Sequence, residues 1–397
     1  MTSAFHPVLE RARRCASCCA LLAVFLAPTA RAAQSADATT RADEHRARTT
    51  GTIVLLGEAF ELSPDECRAA LESSRSGDRV WIAPSGADTA RGIDPLAQSG
   101  EAATATRELF DARAPHPGDD AALCERVRRA GSIALVGGKY LDWYALFRPQ
   151  EKRSGLDAAL RDAHRSGATV IAGGAAASFL ADWTVVDRAE IDRPRRNPRD
   201  AREHVLLRGM SLVHGMIVDA SGAPRASWSR WLSLVANSQG ELALYVDAHV
   251  AWILRDEERG EALVRGSGAV FVLDLHGARR ERDALLGARL SMLLDGDRWS
   301  PRERRASTAT RMLAAGAREE RRAITLDAPA SSDEVRTAIA RELDASRATL
   351  ATLTAPEWFL ALRSDAGSAF AVDAQDRTSA RSGIALDFAW GERAALR

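Results

Sequence analysis

Hydrophobic positions in the first half of the chain fall into short runs, each closed by glycine or proline. Thr52–Leu56 is a continuous apolar run rich in β-branched residues that stops at Gly57, and residues 79–83 repeat it before the turn Pro84-Ser85-Gly86. A third run, 132–136, ends at Gly137-Gly138, and a fourth, 168–172, ends at Gly173-Gly174. Between the first two, 65–74 has helical spacing. Before the fourth, 155–166 sets Leu156, Ala159 and Leu160 as an apolar stripe beside charged positions. Short apolar strands alternating with amphipathic helices predict an α/β fold, a mostly parallel sheet with helices on both faces. Ligands of such sheets lie beyond the carboxyl ends of the strands, so the double glycines mark the expected edge of a site.

Later runs at 205–207, 242–246, 251–254 and 269–273 read as further strands, and 228–236 as a helix. The stretch 188–203 is crowded with charge and contains Pro194 and Pro198, the texture of a solvated loop. Beyond residue 305 the pattern changes. A helix over 332–347, with Ser332 as its cap, precedes strand-like 358–362, 369–372 and 383–388, which predicts a small C-terminal α+β extension over 306–397 beside an α/β domain over 51–305. No internal repeat is visible.

The 397 residues exceed the length at which one core usually stops growing, which fits a large domain with an appendage. Lysine plus arginine and aspartate plus glutamate both total 54, so no net field favours nucleic acid or an anionic membrane. Residues 1–33 carry Arg11, Arg13 and Arg14, then an apolar stretch over 18–27 too short to span a bilayer, then Ala30-Arg31-Ala32. This is the pattern of a secretory signal peptide, and it predicts an exported protein, periplasmic or secreted, with no transmembrane anchor once the signal is removed. Residues 34–50 read as a flexible leader. Three of the five cysteines leave with the signal; Cys67 and Cys124 remain, as a disulfide or as two separate thiols. The eight histidines form no H-x-x-x-H pattern or His/Cys cluster, so neither a metal nor another cofactor is implied.

Residues 170–177, Val-Ile-Ala-Gly-Gly-Ala-Ala-Ala, have the form of a nucleophile elbow, the tight strand-to-helix turn that raises one side chain above a sheet. Small residues are needed on either side because the two backbones approach closely there. Acyl chemistry needs Ser or Cys at the centre, yet Ala175 has no heteroatom that can attack a carbonyl. Here the chain resembles the cyanophycinases and related aspartyl dipeptidases, serine peptidases of the class I glutamine amidotransferase-like, flavodoxin-like type, whose elbow reads G-T-S-A-G-A. The stretch Gly209 to Asp219 resembles that family's approach to its D-Q-H-F motif, with Arg225 and Arg230 at the spacing of the arginines that follow. Residues 242–251 resemble its G-I-G-I-D-E-x-T-A strand with Asp247 and Ala251 retained, and Gly266-Ser267-Gly268 its late glycine turn. The resemblance spans roughly residues 51–305.

Carried over by position, the resemblance sets the family's serine on Ala175, its histidine on Ser221 and its acid on Ala248, so the whole relay is replaced. Gly137-Gly138 is followed by Lys139 and Tyr140 where the family has G-G-D-Q. What the resemblance leaves is a binding surface of Gly137, Gly138, Gly174, Ala176, Asp219, Arg225 and Asp247, with the N–H groups of Ala176 and Gly138 facing the former oxyanion space and a peptide or carboxylate as ligand. The expected function is therefore that of an inactive peptidase homologue that binds a peptide, a small anion or a partner protein. Two alternatives stand beside it. One is an active hydrolase of β-aspartyl-arginine peptides using Ser178 as a displaced nucleophile, with His214, His249, Asp219 or Asp247 supplying the relay. The other is an envelope structural module.

Overall fold

The computed structural model describes residues 50–57, 77–85, 105–187, 204–220, 227–236, 238, 240–255, 260–281, 284–308, 311–314, 321–325, 350–354, 358–363, 369–372 and 380–392. The segments expected as a signal (1–33), as a leader (34–50, save Thr50), as helices over 65–74 and 332–347 and as a loop over 188–203 lie outside these residues, as do Cys67, Ser221 and Arg225. Within them no helix is long and apolar enough to cross a membrane.

Strands β1 (Thr52–Leu56), β2 (Arg79–Pro84), β3 (Ala105–Phe110), β4 (Ser132–Leu135) and β5 (Thr169–Gly173) pair in parallel, in the order β3-β2-β4-β5-β1. The apolar runs are continuous because both faces of these strands are buried. In β1, Ile53 and Leu55 join one core cluster while Val54 and Leu56 join another on the opposite face. Helices α1 (Ala121–Arg129), α2 (Tyr140–Phe147) and α3 (Gly155–Arg165) contribute to the first cluster. Local chemistry starts them. Asp120 accepts the Leu123 N–H at 2.9 Å at the start of α1, and Ser154 accepts the Asp157 N–H at 3.2 Å at the start of α3. Trp143, Phe147 and Phe179 are fully buried and stack in series, with centroids 6.3 and 6.1 Å apart; each ring removed from water contributes roughly 1.5–3 kcal/mol.

The chain continues through α4 (Ala175–Phe179), β6 (Ala181–Asp187), β7 (His204–Arg208), β8 (Val213–Asp219), α5 (Ser227–Ala236), β9 (Leu242–Val246), β10 (Val250–Arg255), β11 (Ala262–Gly266), β12 (Val270–Asp274), β13 (Arg279–Glu281), β14 (Ala284–Leu293), β15 (Arg298–Ser300) and β16 (Arg305–Ser307). The remaining strands are β17 (Arg311–Ala314), β18 (Arg321–Thr325), β19 (Leu350–Thr354), β20 (Trp358–Arg363), β21 (Ala369–Val372) and β22 (Ala380–Glu392). The α/β class holds, but the sheets are mixed rather than mostly parallel. Antiparallel β10, β11, β15 and β16 extend the first sheet from β1. In the second sheet β6, β8 and β9 are parallel, β12 and β14 follow antiparallel, and β22 lies along β14. The strands after residue 307 are thus hydrogen-bonded into the sheet that holds β8 and β9.

A polar clamp fixes the link from β7 to β8. Asp157 is fully buried, and Arg161 Nε donates to its Oδ1 at 2.9 Å. The same guanidinium donates to the carbonyls of Ser211, at 2.9 Å, and Met210, and Arg148 also donates to Met210 O at 2.9 Å. Cys124 is a free buried thiol that donates to Gly118 O at 3.6 Å, and burial raises its pKa.

Candidate functional site

β5 lies between β1 and β4, so its carboxyl end lies in the middle of the parallel strands, the edge where sheets of this class place their ligands. The strand ends at Gly173 and α4 begins at Ala175, leaving one residue to reverse the chain direction. Gly174 takes φ 56° and ψ −124°, a conformation side chains resist, and donates its N–H to Leu56 O at 3.0 Å. The elbow expected from the sequence is present, but its strained apex is Gly174. Ala175 is the first residue of the helix, half-buried against the core, and Ala176 behind it is buried. Neither apex nor helix start carries a heteroatom.

Of the other carried-over positions, those among the described residues come to the same sheet end. Gly57, just past β1, packs against the turn after β9; a Cβ there would lie 1.8 Å from Asp247 O and 2.8 Å from Ala248 Cα. Ala248 is half-buried in that turn, followed by His249 at φ 59°. Asp247 is buried and accepts the Ala269 N–H at 3.3 Å, which ties the turn to the Gly266-Ser267-Gly268 segment. From the second sheet, fully buried Asp219 ends β8, and the next residue reaches α4: Ala220 N–H donates to Ser178 Oγ at 2.9 Å. The elbow, Asp247-Ala248 and Asp219-Ala220 are therefore linked through β1 and α4. Gly138 reaches the same edge against Pro84, where a Cβ would come 2.4 Å from the proline Cγ.

Gly137 and Gly138 serve local structure as well. Gly137 O accepts the Trp143 indole N–H at 2.9 Å, and Lys139 N–H donates to Asp142 Oδ2 at 2.8 Å, starting α2. Tyr140 is buried edge-on against Phe179, at 5.6 Å, and its hydroxyl donates to Arg208 O at 3.0 Å. Burial pushes that phenol well above its ordinary pKa, so it is no proton acceptor at neutral pH.

Ser178 does not have the setting of a nucleophile. It is buried, with 1% exposure, and its Oγ sits between the Ala220 N–H and Gly174 O, 3.4 Å away. A serine nucleophile needs a base within about 3 Å. His214 instead lies beside Asp182, with Nδ1 3.7 Å from Oδ1, and its side chain is 66% exposed. Among the described residues no group of three or more His, Cys, Asp or Glu is placed to hold a metal ion.

No family model and no curated protein matches the chain. Solved structures similar to it in backbone course include two chains named as peptidases. A peptidase from an acI-B1 Actinobacterium is 15% identical with a TM-score of 0.45, over 64% of this chain and 98% of that one. A putative Peptidase E protein from Listeria monocytogenes EGD-e is 15% identical with a TM-score of 0.37, over 55% of this chain and 100% of that one. The α/β class rests on the β3-β2-β4-β5-β1 order and the helices packed on it.

Proposed function

We propose that the chain is an exported, cyanophycinase-like protein that has kept the peptidase scaffold and given up acyl transfer, and that it binds a peptide at the sheet end around Gly174. The observation that carries this reading is the chemistry of the elbow. Gly174 at the apex and Ala175 beside it offer no nucleophile, and the nearby Ser178 hydroxyl is engaged by the Ala220 N–H. A relay cannot start without an attacking atom, and the family's histidine and acid positions are Ser221 and Ala248. The convergence of Gly57, Gly138, Asp219 and Asp247 on one sheet end supports retention of a binding surface.

The test incubates the purified mature protein with β-aspartyl-arginine dipeptides and with a fluorophosphonate probe, and titrates the dipeptide by calorimetry. Saturable binding without turnover or labelling is expected. Hydrolysis or labelling that disappears in Ser178→Ala overturns the assignment, and so does the absence of any peptide binding.

A further inference from the structure

A second concave site lies at the opposite, amino-terminal end of the parallel strands β6, β8 and β9. It has a volume of ≈ 390 Å³, within the range of small-ligand sites, and its wall includes Asp182, Trp183, His214, Met216, Glu241 and Arg304. None of these residues takes part in the elbow.

An irregularity in the sheet shapes it. β6 and β8 pair as Ala181 with Val213 and then as Trp183 with Ile217, so His214, Gly215 and Met216 together face Asp182 alone. Bulges are rare in parallel pairs, and they re-aim side chains. Gly215 takes φ 72° and donates its N–H to Asp182 Oδ2 at 2.7 Å, while His214 and Met216 line the pocket.

The supply of donors and acceptors in the wall selects the ligand. Arg304 faces two carboxylates: its guanidinium donates to Asp274 Oδ1 at 2.7 Å and to Glu241, so its charge is compensated within the wall. Asp182 Oδ2 is satisfied by Gly215, but no hydrogen bond reaches Oδ1 among the described residues, since His214 Nδ1 stays at 3.7 Å. The Asp182 side chain is 29% exposed, so it keeps a charged, partly desolvated acceptor at the pocket. Trp183 adds an aromatic wall that already carries one guanidinium, with Arg208 Cζ 4.8 Å from its ring centroid. Met216, Leu242 and Pro301 supply apolar surface.

We infer that this pocket binds a small organic cation, a guanidinium or primary ammonium group on an apolar stem, with Asp182 as the acceptor of its charge. The head donates to Asp182 Oδ1 and toward the outer edge of Glu241, and the stem packs on Met216 and Leu242. This site is independent of the elbow and does not depend on what binds there.

The experiment titrates the mature full chain by calorimetry at low ionic strength with agmatine, n-butylammonium, butyrate and inorganic phosphate. Saturable binding of one or both cations is expected; the tighter of the two identifies the head group. Asp182→Asn keeps an oxygen for the Gly215 N–H and removes the charge, and it weakens cation binding by about tenfold or more. Glu241→Gln, at a side chain 67% exposed and so safe for folding, weakens it in the same direction. Failure of both cations to saturate, unchanged cation affinity in both variants, or binding of butyrate or phosphate instead overturns the inference.

Discussion

Replacing Ser178 by alanine separates a structural hydroxyl from a catalytic one. Oγ accepts the Ala220 N–H at 2.9 Å, and both residues are buried, at 1% and 0% exposure. Its other contact, to Gly174 O, is long at 3.4 Å and adds little. Ser178→Ala therefore leaves one backbone donor buried without a partner, at a cost of about 1–3 kcal/mol, while the vacated oxygen volume is too small to admit water. Urea unfolding of the variant and the parent reads this directly. The midpoint falls with the slope unchanged, because the surface exposed on unfolding is the same. Fluorophosphonate labelling is nil in both proteins. A stability difference below about 0.5 kcal/mol refutes the bracket between α4 and the end of β8, since it places another acceptor on Ala220. Labelling present in the parent and lost in the variant refutes the structural role altogether.

Two further outcomes test the fold around the site. Arg161→Met leaves Asp157 buried with only Arg153, 3.4 Å away and 62% exposed, so stability falls by about 3–5 kcal/mol by urea unfolding, and the added change Asp157→Leu restores most of it. His164 is buried with Nε2 3.0 Å from Gly51 O, and burial, opposed by that hydrogen bond, lowers its pKa from 6.5 to about 4. The unfolded chain binds this proton first, so the contribution is complete above pH 6.5 and is lost as pH falls toward 4. It amounts to about 3 kcal/mol, which urea midpoints at pH 7.5 and 4.5 detect and which His164→Gln removes.

What the sequence disclosed follows from where each strand is buried. β1, β4 and β5 are covered on both faces, so their apolar runs are unbroken and their ends stood out within a residue. β3 is an edge strand of mixed character, Ala-Thr-Arg-Glu-Leu-Phe, with Leu109 66% exposed, and it gave no such run. α2 was missed because Tyr140-Leu141-Asp142-Trp143-Tyr144 is apolar around much of its circumference, which blurs helical spacing. Alternation with helices foretold the parallel pairing of β1 to β5, but strand direction was not legible in the later strands. β10 is as apolar and as buried as β5, and nothing in its residues distinguishes an antiparallel neighbour of β1 from a parallel one. The Asp182–His214 pair was equally hidden, because β6 and β8 bring it together only through a displaced register.

The elbow shows the limit of reading a site from spacing. A string of glycines and alanines fixes that a tight turn is affordable, but several residues in it satisfy the same steric demand, so the apex floats by one position. Backbone conformation removes that freedom, because only one residue between β5 and α4 takes positive φ. With Gly174 there, Ala175 lies at the first turn of the helix, and a hydroxyl placed at 175 would start from a different direction than one raised at the apex. Neither position carries an attacking side-chain atom: Gly174 has no side chain, Ala175 only a methyl group, and the nearby Ser178 hydroxyl holds α4 to the end of β8.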